Sequence, residues 1–390
     1  IEVIRNLGIK VEIKEDKEEV GDLLFRSFKT ITSKDYFIDF IDNVPYQKFI
    51  VVKDADKCVG VLCLLDRDIC IKSVHVKTTW MSYMAVDSRY KTFKITNLLK
   101  KTLFQYSSKT SLLTVGIARK ALDGYWYPYG FLGATNFSEI HIDKFPSPKI
   151  STDFLIKDFN VSGSVPLRLV ELYNYTYAKI SGSIVRDKSI WQYHLQKIIN
   201  QELKLKYVVK KSVIIGYFLY KENKVLEVFG TNFFIGKAHK IISAHIVDEK
   251  CNKLIYEIGL SHPATPYLAK YNHSINQRFA WNGGHVVKVE SVLSLLDVLL
   301  PIIEERLVKV SVCDFEIFIG DIKFSYKNKI LMLSRGSHAI VKSNNKQDWM
   351  KIILGVCDYQ EFDFIDLEDE GLIKLMFENL HFQIPLLDHM

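Results

Sequence analysis

The stretch Trp80–Leu99, WMSYMAVDSRYKTFKITNLL, determines how the first part of the chain folds. It begins with a strand-like run that ends at Val86, and it passes through a polar loop into the helical spacing of Leu98, Leu99 and Leu103. A strand that leads into the start of a helix presents unpaired backbone N–H groups and the positive end of the helix dipole. Both features suit a phosphate group, so this stretch is the first candidate for a binding site.

A dense group of aromatic residues follows this helix and a second apolar run, Leu112–Ile117. It is the segment Tyr125–Phe131, YWYPYGF, in which Pro128 and Gly130 indicate a turn. Aromatic ring faces attract ammonium ions. The segment therefore lines an acceptor pocket for an amine, or it packs as core beneath the turn, and the sequence leaves both interpretations open.

The order of strand, loop, helix, strand and aromatic turn resembles the acyl-CoA-binding half of the GNAT superfamily of N-acyltransferases. In that family the strand backbone pairs with the pantetheine arm, and a loop with two small residues wraps the pyrophosphate. A Cβ atom at those two positions hinders close approach of the backbone to the phosphates, although lysines in the loop supply charge instead. In this chain Lys94 and Thr96 occupy the positions of the two small residues, and Lys91 and Lys94 are the lysines that supply charge. The resemblance implies that acetyl-CoA, as co-substrate, is bound by Met84, Ala85, Val86, Lys91, Thr92, Phe93, Lys94, Ile95 and Thr96.

The acid that protonates the leaving thiolate is a second point of comparison. Acyl transfer to an amine needs a deprotonated nucleophile, stabilisation of the tetrahedral oxyanion and a proton for the thiolate. Many members of the superfamily take that proton from a Tyr four positions before the Gly of the turn, and Trp126 stands there in this chain. A neighbouring tyrosine, Tyr125 or Tyr127, donates the proton instead, or no residue does.

Composition excludes several other classes of function. The net charge of +7 is spread over 390 residues without a run of five basic residues, which disfavours nucleic-acid binding. The six cysteines form no Cys-x-x-Cys pair, which favours reduced thiols in a cytoplasmic protein. No apolar run approaches the roughly 20 residues of a membrane-spanning helix. The histidines lack metal-ligand spacing, so we expect no metal dependence.

Local patterns along the rest of the chain predict mixed strands and helices. After a strand at Val59–Leu65, the charged triplet Asp66–Asp68 is expected to separate it from a further strand at Ile69–Val76. A Leu-rich helix is predicted from Val292, with Pro301 kinking or dividing it. A strand is then predicted at Val308–Cys313.

The three-part order of the whole chain resembles the mycobacterial "enhanced intracellular survival" acetyltransferases and their Firmicute relatives. The segments that carry this resemblance are Glu171–Asn174, Ile184–Asp187 with Trp191, Val287–Glu290, and Ile384–Pro385 with Asp388. It implies an α/β fold with α+β mixed sheets, in which tandem GNAT-like domains precede a small sterol-carrier-protein-like α+β domain. The implied boundaries are 1–150, 160–289 and 290–390. A lipid or other apolar ligand in the last of these domains is a further possibility.

The same resemblance implies a mechanism and an assembly. In these relatives the carboxylate of the final residue acts as general base, and the final residue here is Met390. The relatives also form closed homo-oligomers. The leading hypothesis is transfer of acetyl from acetyl-CoA to a primary amine of a small molecule or peptide. The alternative is a non-catalytic protein that keeps the fold for binding or as a scaffold, because fold alone does not guarantee chemistry.

Overall fold

A computed structural model describes residues 9–14, 17–28, 33–117, 123–133, 136–143, 154–160, 163–246, 253–279, 285–336, 346–354 and 370–377. The chain divides into two compact units. The first unit consists of residues 1–68 and 77–117, and the second of residues 69–76 and 118–390. No helix within the described ranges is long and apolar enough to cross a membrane.

The first unit is built on a mixed sheet with strand order β1-β2-β3-β4-β5. Strands β1, β2 and β3 are antiparallel neighbours, and β5 runs parallel to β4. In chain order the elements are β1 (Ile9–Lys14), α1 (Glu18–Phe28), α2 (Lys34–Asn43), β2 (Gln47–Asp54), β3 (Lys57–Ile71), β4 (Val74–Val86), α3 (Ile95–Thr110) and β5 (Leu113–Ile117). A single 3-10 turn, Ser88–Phe93, joins β4 to α3.

Apolar side chains at helical spacing bury these helices against the sheet. Their buried residues are Val20, Leu23 and Leu24 of α1, Phe37, Phe40 and Ile41 of α2, and Ile95, Leu99 and Leu103 of α3. Helix α2 begins after Ser33, because the Ser33 side chain accepts the Tyr36 N–H at 3.2 Å. Helix α3 lies close to β3 at Gly60, where an added Cβ would lie only 2.5 Å from Cγ2 of Ile95.

The predicted break at Asp66–Asp68 is wrong, because β3 runs through these residues to Ile71. The Asp66 carboxylate is satisfied on the strand, because it accepts from Lys48 Nζ at 2.9 Å and from Thr79 Oγ1 at 3.3 Å. The chain turns instead at Lys72 and Ser73, both at positive φ, and β4 then begins at Val74. Partners distant in sequence thus keep a locally polar triplet extended.

The second unit holds a seven-stranded sheet with strand order β13-β7-β12-β11-β10-β9-β8. Neighbouring strands are antiparallel except for the parallel pair β11 and β12. Its elements up to β14 are α4 (Asp123–Trp126), β6 (Leu132–Gly133), β7 (Asn136–Asp143), β8 (Phe154–Asp158), α5 (Leu167–Tyr177), α6 (Lys188–Asn200), β9 (Lys204–Lys210), β10 (Val213–Lys221), β11 (Lys224–Gly230), α7 (Asn232–Ile235), α8 (Ala238–His245), β12 (Lys253–Tyr256), α9 (Thr265–Leu268), β13 (His273–Phe279) and β14 (His285–Val289). Strand β14 pairs with β6 in antiparallel register.

The C-terminal part of this unit is a three-stranded antiparallel sheet with helices. It comprises α10 (Val292–Val310), β15 (Phe315–Ile319), β16 (Ile322–Lys327), β17 (Ile330–Arg335), α11 (Lys346–Leu354) and α12 (Glu370–Met376). The predicted strand at Val308–Cys313 is wrong: α10 continues through Pro301 to Val310 and ends where Ser311 adopts a left-handed conformation. Burial of Ile303 and Leu307 on one face keeps this segment helical.

Two of the segments that carried the resemblance form the core of the second unit. The Asn174 side chain donates to the Arg186 carbonyl at 2.9 Å and accepts the Arg186 N–H at 3.1 Å. The Arg186 guanidinium is fully buried, binds both carboxylate oxygens of Glu227, and lies 4.0 Å from the ring centre of Tyr173. A buried charge pair of this kind holds the segments together. We therefore assign these segments a structural role.

Candidate functional site

Strand β4 continues beyond the end of its pairing with β5. The pairing between the two strands begins at Thr78, opposite Leu113, and ends at Met81, opposite Gly116. Gly116 permits this close approach, since an added Cβ would lie 2.2 Å from the Met81 Cε. Within the described residues, Met84, Ala85 and Val86 lie beyond the register with β5. Backbone N–H and C=O groups need partners, so this edge of Met84, Ala85 and Val86 can take an extended ligand that carries amide groups.

The turn after β4 is held by a buried carboxylate. The Asp87 backbone N–H donates to the Val59 carbonyl at 2.9 Å. Its carboxylate accepts from the Arg89 backbone N–H at 3.1 Å and from Arg89 Nε and Nη2 at 3.0 and 2.8 Å. These hydrogen bonds hold the pKa of Asp87 well below its usual range. The carboxylate is therefore ionised at neutral pH and fixes the start of the 3-10 turn.

Lys94 takes a backbone conformation that favours glycine. Its φ of 55° and ψ of 22° lie in the left-handed region, and α3 begins at the next residue without a side-chain cap. Asn97 and Leu98 donate their N–H groups to the Lys94 carbonyl. Ile95 and Thr96 precede them and are the first two residues of the helix. The backbone geometry thus suits a phosphate although the residue is not glycine. The side chains of 91–93 lie outside the described residues.

A cavity of about 610 Å³ opens beside the end of β4. Its lining contains three basic side chains and one acidic one, contributed by α1, β3 and the turn after β4. The lining residues are Leu23, Arg26, Ser27, Lys57, Val86, Asp87, Ser88 and Arg89. Asp87 neutralises Arg89, whereas Arg26 and Lys57 make no ion pair with a carboxylate of the described residues. The cavity therefore carries net positive charge and suits a phosphate.

Four aromatic rings, those of Phe28, Tyr36, Phe37 and Phe40, contact Tyr83 on β4, and sequence reasoning missed them. The ring centre of Tyr83 lies 5.4 Å from Phe28, 5.2 Å from Phe37 and 5.1 Å from Phe40. The phenol oxygens of Tyr36 and Tyr83 lie 2.7 Å apart, within hydrogen-bond distance. The spacing of Tyr36, Phe37 and Phe40 on one helix was the available signal, but nothing local in the sequence shows that their partner is Tyr83.

Comparison with known proteins identifies the fold. No family model and no curated protein matches the sequence. A GCN5-related N-acetyltransferase from Anabaena variabilis superposes with a TM-score of 0.71 at 14% identity, over 96% of this chain and 99% of that one. A protein from Enterococcus faecalis V583, described as a probable N-acyltransferase, gives 0.68 at 13% identity, over 97% and 98%. Eis1 from Mycobacterium abscessus gives 0.66 at 11% identity, over 95% and 97%.

The chain has the fold of the GCN5-related N-acetyltransferases. The predicted fold class is thereby confirmed for nearly the whole chain, and with it the resemblance to the enhanced intracellular survival proteins. The domain boundaries, and the likeness of the last domain to a sterol carrier, stay predictions.

The second unit of this GNAT-fold chain contains the predicted aromatic turn. Trp126 is buried and its ring centre lies 5.3 Å from that of Phe131. Gly130 has a φ of 86°, a conformation that favours glycine, and its N–H donates to the Tyr127 carbonyl at 3.0 Å. Tyr125 is half-buried and contacts Trp126, whereas the Tyr127 ring is 52% exposed. Trp126 is thus core, and the two tyrosines keep their candidate role.

Other predicted features of the GNAT-fold chain fall outside what the structure describes. Met390 and the preceding segment with Ile384, Pro385 and Asp388 lie beyond the last described residue, Phe377. Within the described ranges, no group of three or more His, Cys, Asp or Glu side chains is arranged to hold a metal ion.

Proposed function

We propose that the protein is an N-acyltransferase that moves acetyl from acetyl-CoA to a primary amine of a small molecule or peptide. The observation that carries the proposal is the open edge of β4, which leads through a left-handed turn into the uncapped start of α3. The pantetheine arm of acetyl-CoA contains amide groups that can pair with Met84, Ala85 and Val86. Its phosphates then reach the N–H groups at the start of α3.

Basic side chains compensate for the two small residues that the loop lacks. The ammonium group of Lys94 is exposed beside the helix start, and Arg26 and Lys57 line the adjacent cavity. Point charges stabilise phosphates without the close backbone approach that glycine permits. On this proposal Lys91, Thr92, Phe93, Ile95 and Thr96 complete the loop around the pyrophosphate.

The reaction itself needs a base and an acid. A neutral amine attacks the thioester carbonyl, the C–N bond forms, the C–S bond breaks, and the thiolate takes up a proton. By resemblance we assign the base to the carboxylate of Met390, whose pKa would rise towards neutrality on partial burial. Tyr125 and Tyr127 are the acids that the resemblance suggests. Deletion of the last two residues, His389 and Met390, should then abolish transfer while acetyl-CoA binding is kept.

The proposal is tested with acetyl-CoA and a panel of primary amines. Calorimetry should detect acetyl-CoA binding, and a thiol reagent should detect release of CoA that depends on the amine. Val86→Pro removes a backbone donor from the β4 edge and should abolish binding. Val86→Thr keeps the N–H and the branched shape, so it should bind normally. Absence of binding at millimolar acetyl-CoA would refute the proposed enzyme.

The alternative of a non-catalytic binding or scaffold protein is favoured by three particular residues. Lys94 and Thr96 carry Cβ atoms at the loop positions, and Trp126 replaces the usual acid. This alternative would be supported by acetyl-CoA binding without CoA release for every amine in the panel. It would be excluded by turnover with any of them.

Three further properties belong to the proposal. We infer a closed homo-oligomer, which light scattering at high micromolar concentration would contradict by showing a strict monomer. We infer a cytoplasmic location, supported by the buried thiols of Cys58, Cys63 and Cys70, which form no disulfide; burial raises the pKa of Cys63. We expect no nucleic acid, membrane span or metal in its function. An apolar ligand in the C-terminal part remains a hypothesis.

A further inference from the structure

In the first unit, the phenol groups of Tyr83 and Tyr36 lie within hydrogen-bond distance, so a proton can pass between them. We propose that Tyr83 is the proton donor of acyl transfer and that Tyr36 connects it to solvent. This inference rests on the proposed acyl transfer, and it names the acid of that reaction. It differs from the assignment to Tyr125 or Tyr127, so the experiment below decides between them.

The position of Tyr83 on β4 places it at the acyl end of the proposed ligand. The phosphates of acetyl-CoA are expected at the outer end of the open edge, beside Lys94 and the start of α3. The open edge ends inwards at Met81, where pairing with β5 takes over. The arm therefore runs from Val86 inwards, and Tyr83 lies three residues, or about 10 Å, along it. The thioester is expected at that inner end.

The ring of Tyr83 is held in place by its neighbours. Its contacts with Phe28, Phe37 and Phe40 are all edge-on, at interplanar angles of 66°, 81° and 89°. Such contacts stabilise one ring orientation. The phenol group therefore occupies a defined position, which a proton donor requires.

Tyr36 supplies the second half of the path. Its oxygen lies 2.7 Å from that of Tyr83, and its side chain is 37% exposed, whereas Tyr83 is half-buried. A proton that Tyr83 loses can thus be replaced from Tyr36, and Tyr36 can recover its own proton from water. Either oxygen can act as donor in the resting pair, as the transfer requires.

With Tyr83 and Tyr36, every bond and proton of the transfer is accounted for. The amine nitrogen bonds to the carbonyl carbon, and the tetrahedral intermediate collapses with cleavage of the C–S bond. The Tyr83 O–H gives its proton to the departing sulfur, which leaves as the thiol of CoA. The Tyr83 phenolate takes the Tyr36 proton, and water reprotonates Tyr36. The proton that the amine loses goes to the base and then to solvent.

This assignment explains how the chain can work with Trp126. That residue is buried against Phe131 and offers no hydroxyl group. A phenol on β4 restores an acid of the same chemical type from a different element. The fold thus needs no tyrosine at the usual position.

The test compares Tyr83→Phe with wild type, using acetyl-CoA and an amine that the wild-type protein acetylates. Phe keeps the ring contacts, so the melting temperature and acetyl-CoA affinity should be unchanged. We expect kcat to fall about 100-fold or more, within the range for loss of a positioned acid. The fall at high pH in the rate profile, which reports ionisation of the acid, should disappear. Tyr36→Phe should reduce kcat less, and the exposed Tyr46→Phe serves as control.

The outcomes separate this inference from the proposed function. Wild-type activity with an unchanged kcat and pH profile in Tyr83→Phe overturns the inference and leaves the enzyme proposal intact. The same holds if Tyr125→Phe or Tyr127→Phe, and not Tyr83→Phe, removes the fall at high pH. A wild-type protein without any transfer overturns both. If Tyr83→Phe does not fold, fluorotyrosine at position 83 replaces it, and the fall should then move to lower pH; an unmoved profile overturns the inference.

Discussion

Lys94 combines backbone strain with a proposed role in binding acetyl-CoA. It adopts the left-handed conformation at the point where the chain enters α3. A residue with a Cβ atom is disfavoured there by roughly 1–2 kcal/mol, and glycine is not. The chain nevertheless has a lysine, and in the proposed function its charge stabilises the phosphates of acetyl-CoA.

Substitution of Lys94 separates these two effects. Lys94→Gly removes both strain and charge, whereas Lys94→Ala removes the charge and keeps the Cβ atom. We expect Lys94→Gly to be more stable than Lys94→Ala by about 0.5–1 kcal/mol in thermal or urea unfolding. Both variants should bind acetyl-CoA more weakly than wild type at low salt, and the difference should shrink as salt screens the charge. A Gly variant that melts below the Ala variant would contradict the left-handed conformation.

At the scale of elements, sequence patterns predicted the strands and helices that are determined by residues close together in the chain. The strand up to Val86 and the helix after Lys94 follow from apolar spacing, and the structure confirms them. The apolar run Leu112–Ile117 contains the strand Leu113–Ile117. The triplet Asp66–Asp68 was misassigned because its stabilising partners, Lys48 and Thr79, lie elsewhere in the chain. The predicted strand from Val308 failed because Val308 and Val310, which carry β-branched side chains, are the exposed end of a long helix whose buried face includes Leu307.

The candidate site also contains a part that is local in sequence and a part that is not. Met84–Val86 and Lys91–Thr96 could be proposed from the sequence because they are contiguous, and the backbone there has the expected strand, turn and helix start. The pairing of Tyr36 with Tyr83 joins residues 47 positions apart and depends on how two helices cover the sheet. No local pattern contains that information.

The contact between β3 and α3 gives a prediction about the element that starts at Lys94. In Gly60→Ala the new Cβ would lie 2.5 Å from Cγ2 of the buried Ile95. Overpacking of this kind typically costs about 1–3 kcal/mol and should displace the start of α3. We expect a lower melting temperature together with weaker acetyl-CoA binding. Gly163→Ala, whose Cβ would meet nothing closer than 3.7 Å, is the matched control and should change neither.

The buried Arg186–Glu227 pair gives a prediction for the second unit. Either Arg186→Met or Glu227→Gln leaves one buried charged or polar group without its partner and should cost about 3–5 kcal/mol. The double variant should cost clearly less than the sum, because it leaves no buried charge. Arg168→Met breaks an exposed pair with Glu171 and should cost at most about 1 kcal/mol. Additive losses in a double-mutant cycle of urea unfolding would show that the pair is not coupled.

At the scale of the whole molecule, buried histidines link folding to pH. Burial lowers the pKa of His262 to about 4, and burial also lowers the pKa of His239 to about 4. His262 accepts the Ala264 N–H on Nδ1 at 3.0 Å, so its Nε2–H donates to the Val228 carbonyl at 2.8 Å. The Nδ1 contact needs the neutral ring, because a protonated Nδ1 cannot accept a hydrogen bond, whereas the Nε2–H can donate in either state. Protonation therefore favours unfolding of the second unit.

The lowered pKa values predict how the free energy of unfolding changes with pH. In the unfolded chain a histidine titrates near pH 6.5, so between about pH 6.5 and 4 the unfolded state binds more protons. The stabilisation is fully present above about pH 6.5 and is lost as the pH falls towards 4, by up to about 3 kcal/mol for each histidine. The melting temperature should fall across this window. His262→Gln should flatten the fall, whereas His75→Gln, at an exposed position, should leave it unchanged. Equal slopes for His262→Gln and wild type would show that His262 is not held neutral in the folded protein.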